Sequence, residues 1–360
     1  MAIAKHRDFR SRERFASLDG LRCLAILAVI WHHAGPSFES TWTAKGFLGV
    51  DLFFVLSGFL IVTLLLRERD RTGAISLGNF YARRALRIFP AYYMTIALAG
   101  VILYLMGGDR FAAYLRDLPY LATYTSNWVH VEVPNLGIMW SLATEEQFYL
   151  LWPMVEVFAP RRAVGWILAA AIAVNQAVNF GFADELWRSM TGTEPDVYIL
   201  PVTFTPILLG VALAHILHSG RSFDVAWRLL AWRGASGAFA IATVATVFLT
   251  PPNMSGWPRL AIQSMFAILI GSVVVREDHA LRRPLTLRPV VYIGSISYGL
   301  YLLHIFGISI AARIGERVPA LNNFPSRLTL ITVIAIILAS LSFRYFEMPF
   351  LRLKKRFSST

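Results

Sequence analysis

The sequence predicts an all-α polytopic membrane protein with about ten transmembrane helices and both termini in the cytoplasm. Three observations lead there. Of 360 residues, 56% are hydrophobic and only 16% are charged, against about 25% charged in an ordinary soluble domain; the mean hydropathy is +0.55. Ten apolar segments approach or reach the roughly 20 residues that a spanning helix needs. They lie near residues 18–34, 47–66, 88–106, 139–158, 164–180, 197–217, 231–249, 260–275, 290–312 and 328–343, the first and fifth being marginal. Finally, the cations are unevenly placed. With the N-terminus inside, the cytoplasmic segments hold 25 of the 34 Lys and Arg, the outer segments hold 8, and Arg22 is the remaining one. Lys and Arg accumulate on the cytoplasmic side, so this split supports an even number of spans. It also accounts for the net charge of +12 without nucleic acid as a partner.

Taken in order, residues 1–17 are a basic cytoplasmic segment. No small-residue cleavage pattern follows the first apolar stretch, so that stretch reads as an uncleaved helix. It holds Arg22 and His33. Eleven residues are close to three helical turns, so both side chains project from nearly one face, roughly 16 Å apart along the axis. The one cysteine, Cys23, excludes an intramolecular disulfide and a Cys-based metal site; it reads as a packing residue. Asp51 opens the second segment. Arg83, Arg84 and Arg87 precede the third, and Pro90 suits its first helical turn. The longest connection, residues 107–138, is too short for a soluble domain. The fourth segment carries Glu145 and Glu146, and the ninth carries His304. Asp184, Glu185, Glu194 and Asp196 fall on an outer loop.

This topology puts two imidazoles, His33 and His304, and three carboxylates, Asp51, Glu145 and Glu146, at similar depth in the outer half. A carboxylate beside a His fixes its tautomer and stabilises the imidazolium, the usual arrangement of a general base. At the inner side the three arginines suit phosphate, which the planar guanidinium fork binds well. Plainer readings compete. The arginines would also serve topology alone, and Arg22 would also pair with Asp19 or a lipid phosphate. His32 lies about 100° round the helix from His33 and reads as interfacial, as do His215 and His218. Ser57-Gly58 reads as a close helix contact before a nucleophile. Trp42, Trp140, Trp152, Tyr92 and Tyr93 read as an aromatic belt. No nucleotide-binding Gly-rich loop, zinc-binding His-Glu-x-x-His or Gly-x-Ser-x-Gly elbow is present. Direct group transfer therefore fits better than nucleotide-driven hydrolysis.

Five motifs together resemble the membrane-bound acyltransferase-3 family. They are Leu18-Asp-Gly-Leu-Arg22 with His33; Gly49-Val-Asp-Leu-Phe-Phe-Val-Leu-Ser-Gly-Phe-Leu-Ile61; Arg83-Arg-Ala-Leu-Arg87-Ile-Phe-Pro-Ala-Tyr-Tyr93; Trp140-Ser-Leu-Ala-Thr-Glu145-Glu-Gln-Phe-Tyr149; and Ser297-Tyr-Gly-Leu-Tyr-Leu-Leu-His304. The resemblance covers essentially the whole chain. It implies an enzyme of the bacterial inner membrane that acylates surface glycans. The donor would be cytoplasmic acyl-CoA, acetyl-CoA by default, used as substrate with no permanently bound cofactor and no metal. The acceptor would be a carbohydrate or glycolipid. It assigns catalysis to Arg22 and His33, donor handling to Arg84 and Arg87 with Arg83 beside them, and a site carboxylate to Glu145. Asp51 joins these as a candidate partner of His33, and Ser57, Tyr298, Tyr301 and His304 are further polar candidates. Cys23 departs from the Gly that the family often has there. The expected organisation is a basic N-terminus (1–17), an acyltransferase domain (18–346) and a basic cytoplasmic tail (347–360), without an appended esterase-like domain. His33 would serve as general base or as acyl-carrying nucleophile, and the sequence does not separate the two. The competing class is a transporter or flippase with a buried His/Glu proton relay. Such proteins commonly show two related halves, and none is evident here.

Overall fold

A computed structural model describes residues 2–12, 14–35, 44–192, 204–251 and 256–357. Among them all regular structure is helical. In chain order the helices are α1 (Ala2–Ser11), α2 (Ala16–Ala34), α3 (Leu48–Thr72), α4 (Leu77–Met106), α5 (Asp109–Ala122), α6 (Met139–Phe158), α7 (Arg161–Asn179), α8 (Phe182–Thr191) and α9 (Thr205–His218). They continue with α10 (Gly220–Leu230), α11 (Ala235–Leu249), α12 (Trp257–Val275), α13 (Arg282–Leu285), α14 (Arg288–Ser295), α15 (Ser297–Arg317), α16 (Phe324–Leu341) and α17 (Met348–Leu353). Each of the ten apolar segments falls on helical structure, the ninth on two successive helices and the sixth only in its described part. Among the described residues five helical stretches are long and apolar enough to cross a membrane: Ala44–Thr72, Leu77–Met106, Trp257–Val275, Ser297–Arg317 and Phe324–Leu353. The number rises to seven if the bent pairs α1–α2 and α10–α11 each count as one span; the second pair turns by 77°. The chain divides into two compact units. One comprises Met1–Ile75, Ala159–Phe182 and Thr203–Ser297, the other Ser76–Phe158, Ala183–Val202 and Tyr298–Thr360.

In the first unit α3 packs along α9, with α2 and α12 also against it. The α3–α9 crossing depends on two glycines. A Cβ at Gly58 would lie 2.1 Å from the Ile207 carbonyl oxygen, and one at Gly210 would lie 2.2 Å from that of Val55. Small residues let membrane helices bring their backbones together, so Gly58 is the close helix contact read from Ser57-Gly58. The basic N-terminal segment is itself helical and docked. Arg67 donates to the Phe9 carbonyl at 2.8 Å, Arg10 pairs with Asp70, and His6 Nε2 bonds the His218 carbonyl at 3.0 Å. Lys45 Nζ donates to the carbonyls of Val247 and Thr250, both at 2.6 Å. It places a cation where α11 ends and its last carbonyls lack helical partners.

In the second unit α4 starts earlier than the third apolar segment. Ser76 caps it, its hydroxyl accepting from the Asn79 amide at 3.4 Å. Pro90 is therefore interior, not in the first turn, and Arg83, Arg84 and Arg87 lie on the helix itself. Pro removes one ladder hydrogen bond, and Tyr298 donates to the nearby Ile88 carbonyl at 2.9 Å. Beyond α4 the long connection folds into α5 and a return segment. Asp117 is buried and accepts from the amides of Glu132 (3.1 Å) and Val133 (2.9 Å). After α16 the backbone widens into a π-helical turn over Ser342–Glu347, then α17 and a final turn, Lys354–Phe357, pack against α4.

Three expectations are corrected. The ninth segment is not one continuous helix: α14 ends at Ser295 and α15 begins at Ser297, and Gly294, just before the break, packs onto α2, where a Cβ would lie 1.8 Å from the Asp19 carbonyl oxygen. Tyr92 and Trp152 are not belt residues. Tyr92 is fully buried, stacks on Tyr124 with ring centres 4.2 Å apart, and donates to the Leu121 carbonyl at 2.8 Å. Trp152 is buried and donates to Glu156 at 3.1 Å. Burial with a satisfied polar tip suits these rings as well as an interface does. Tyr93 is exposed. Trp42, Glu194 and Asp196 lie outside the described residues.

Candidate active site

The polar candidates fall into two groups, one in each unit. In the first unit the rigid α2 carries Arg22 and His33. Arg22 pairs with Asp19 at 3.1 Å, one turn earlier on the same helix, and Arg14 pairs with the same carboxylate at 2.5 Å. The plainer reading of Arg22, an ion pair with Asp19, is thus present. His33 is held through Nδ1, 2.9 Å from the Val29 carbonyl. A carbonyl only accepts, so Nδ1 is the donor of this bond, and in a neutral ring the lone pair would then lie on Nε2. His32 turns elsewhere, its ring edge-on to His33 at 5.1 Å and near Phe47 at 6.0 Å.

Asp51, 1% exposed, is engaged by residues that sequence reasoning passed over. Arg259 of α12 approaches it at 3.3 and 3.4 Å, and Gln263, one turn further on, donates to it at 3.1 Å. Arg259 lies between the seventh and eighth apolar segments, among the eight outer cations of the charge count. The available signal was Gln263, an amide inside an apolar run, because a buried polar group calls for a partner. Ser57 sits half-buried on α3 beside Gly58, and Cys23 is buried.

In the second unit, Arg83, Arg84 and Arg87 occupy little more than one turn of α4 and are half-buried. Arg83 donates to the Phe357 carbonyl at 2.7 Å and so holds the chain's final described turn against α4. That turn brings Lys354 within electrostatic reach of all three arginines. Burial, and then the arginines, hold the Lys354 ammonium down to about 8. The result is a four-cation cluster, with Glu347 of the widened turn in reach of Arg87. The sequence pointed to the arginines but not to Lys354, which had read as tail.

Arg84 also lies over the Tyr149 ring, 4.6 Å from its centre, and the Tyr149 hydroxyl donates to Glu145. The arginine segment and the Trp-Ser-Leu segment are therefore linked through one phenol. Tyr301 donates to the Ile138 carbonyl at 3.0 Å and lies 2.6 Å from the Ser141 hydroxyl. His304 is fully buried, its Nδ1 2.6 Å from the Tyr301 carbonyl. Gly299 leaves room for Glu347: a Cβ there would lie 3.0 Å from its carboxylate oxygen, which also accepts from Ser342 at 3.0 Å. Ser297-Tyr-Gly-Leu-Tyr-Leu-Leu-His304 is thus largely a packing and hydrogen-bonding motif. Among the described residues no three His, Cys, Asp or Glu side chains are grouped to hold a metal ion.

Residues 15–344 match the acyltransferase-3 family, described as an acyltransferase domain. The chain belongs to the acyltransferase-3 family. The chain is 30% identical over 319 residues to the O-acetyltransferase OatA of Staphylococcus aureus strain NCTC 8325 / PS 47, a match covering 83% of the chain and 52% of that relative. It is 28% identical over 364 residues to a putative O-acetyltransferase of Staphylococcus aureus strain COL, covering 95% of the chain and 58% of the relative. The chain thus spans about half the length of the curated relatives it matches. No solved structure matches it.

Proposed function

We propose that this acyltransferase moves an acetyl group from cytoplasmic acyl-CoA to a hydroxyl of a carbohydrate or glycoconjugate outside the bacterial inner membrane. In this reading it spans the bilayer ten times with both termini inside, as the charge asymmetry supports. The donor's phosphates engage Arg84 and Arg87, with Arg83 and Lys354 beside them. His33 Nε2 takes the proton from the acceptor hydroxyl, the oxygen attacks the thioester carbonyl, and the C–S bond breaks. The imidazolium then returns its proton to the departing CoA thiolate. Arg22 supplies positive charge on the same helix face as His33, and Glu145 acts through Tyr149 and Arg84 on the donor side. Asp51 fixes α3 to α12 through Arg259 and Gln263 and serves as a positioning residue. Tyr298, Tyr301 and His304 support the second unit's packing.

The observation that carries this reading is the 2.9 Å contact of His33 Nδ1 with the Val29 carbonyl, which supports Nε2 as the basic nitrogen of a neutral ring. A base held in this way needs no rearrangement before proton transfer. Acetyl is the group because the relatives are an O-acetyltransferase and a putative O-acetyltransferase. Membranes containing the protein should transfer label from acetyl-CoA to a glycan fraction, and the His33→Ala variant should lose about 10²–10⁴ in rate. Label trapped on the protein and released by hydroxylamine would mark the acyl-His route. Solute exchange without any transfer of label would point to the transporter class and defeat the proposal.

A further inference from the structure

The second unit contains an apolar slot of about 840 Å³, lined by Leu98, Ile102, Leu303, Phe306, Ile310 and Leu338 among others. Its volume is within the range of ligand sites, roughly 300–1,000 Å³. The floor is buried while Leu98, Ile102 and Ile310 on its walls are exposed, so the slot opens sideways from the helices. It follows α4 from Met94 to Met106 and α15 from Leu303 to Glu316. At 1.5 Å per residue that is about 18 Å, slightly more than one leaflet, which is about 15 Å of a 30 Å hydrocarbon core.

One end of the slot is charged. Arg110, just inside α5, and Arg313 both line it, with Glu316 as the acid among the lining residues. Arg313 reaches back to Met106, its guanidinium 3.9 Å from the sulfur. Below them Asn135 donates to Ser309 at 3.1 Å, leaving polar atoms where an apolar wall gives way to the charged end. This end of α4 is opposite to the one that carries Arg83, Arg84 and Arg87, so it is not the proposed donor site. The proposed chemistry uses none of these residues.

We infer that the slot holds one chain of an anionic phospholipid, with the phosphate of its headgroup at Arg110 and Arg313. The length matches a chain confined to one leaflet, the walls match hydrocarbon, and two cations against one acid match a net negative head. Asn135 and Ser309 meet the glycerol ester region, where hydrogen bonding replaces water. A lipid held there seals an opening that would otherwise leave buried apolar wall without packing partners.

The test uses the full chain, purified in a zwitterionic detergent, and a photoreactive phosphatidylglycerol analogue. Crosslinks should map to residues 94–106 and 303–313. Unlabelled phosphatidylglycerol should compete about fivefold better than phosphatidylcholine, the size expected of one net cationic side chain meeting an anionic head. The double variant Arg110→Gln/Arg313→Gln should lose that preference, whereas Arg327→Gln, which removes a cation outside the slot, should keep it. Ala312→Trp, on the exposed part of the lining, should reduce labelling while the protein stays monodisperse. Equal competition by the two lipids, or label spread evenly over other apolar helices, would leave only ordinary boundary lipid and overturn the inference. Stronger competition by farnesyl phosphate would reassign the slot to a lipid-phosphate carrier and overturn it as well.

Discussion

Replacing Asp51 by Asn should destabilise the protein, and removing Arg259 as well should restore most of the loss. Asp51 is 1% exposed, and the Arg259 side chain is 13% exposed. At 3.3 Å and an effective dielectric near 20 the gross attraction is about 5 kcal/mol, offset by the cost of taking both ions out of water. Breaking such a pair from one side costs about 3–5 kcal/mol, because the surviving charge stays buried without its counter-ion. Arg259 lies in the first turn of α12 and can extend toward water, which favours the low end, about 3 kcal/mol. Unfolding entropy of about 2.1 cal/mol/K per residue over 360 residues converts that to a fall in Tm of about 4 °C. The double variant Asp51→Asn/Arg259→Met removes both charges and should return to within about 1 kcal/mol of the parent. Thermal denaturation of the four proteins in one detergent gives the coupling energy directly. Acetyl transfer measured alongside should follow stability: lost in Asp51→Asn, recovered in the double variant. Additive losses in Tm would show that Arg259 does not hold Asp51. Recovered stability with no recovered transfer would return Asp51 to a direct role in the chemistry.

Other perturbations probe the remaining roles. His33→Ala should lose transfer at normal protein levels, while His32→Ala keeps most of it because its ring faces Phe47; the reverse outcome would undo the assignment of His33. Changing Arg84 and Arg87 to Lys keeps the charges but not the two-pronged contact with phosphate, so insertion should be normal and the apparent KM for acetyl-CoA should rise; unchanged donor dependence would reduce the arginines to topology signals. Lys354 binds an anion only while protonated, and its value is held down to about 8, so donor affinity should be full below pH 8 and fall as pH rises through it, by about tenfold for one lost charge-assisted contact. Lys354→Arg should flatten that limb of the profile, and a limb unchanged in Lys354→Arg would assign it to another group. A reporter fused within residues 107–138 should be active outside and one at the C-terminus inside; an outside C-terminus would break the ten-span topology.

What the chain alone determined was its solvent, its helical content and the residue types of its chemistry. The apolar segments fall on helical structure, the ninth on two successive helices, because a backbone in lipid must satisfy its own hydrogen bonds. Arg22, His33 and Glu145 stood out for a related reason: polar groups in apolar surroundings are costly, so few are kept; Arg84 and Arg87 stood out as clustered cations beside the third segment. Helix limits were less legible. The start of α4 at Leu77 depends on a Ser76 cap and on arginines that lie along the helix, and hydropathy alone placed it eleven residues later. Only the tertiary structure decided which partners these groups take. Asp51 meets Arg259 and Gln263 more than 200 positions away, Lys354 joins arginines near residue 85, and Tyr92 and Trp152 are buried where an interface was expected. Spacing along a helix reports which face a side chain occupies, whereas its neighbours across that face belong to other segments. Their approach is set by small residues such as Gly58 and Gly210, whose role appears only once two backbones have come into contact.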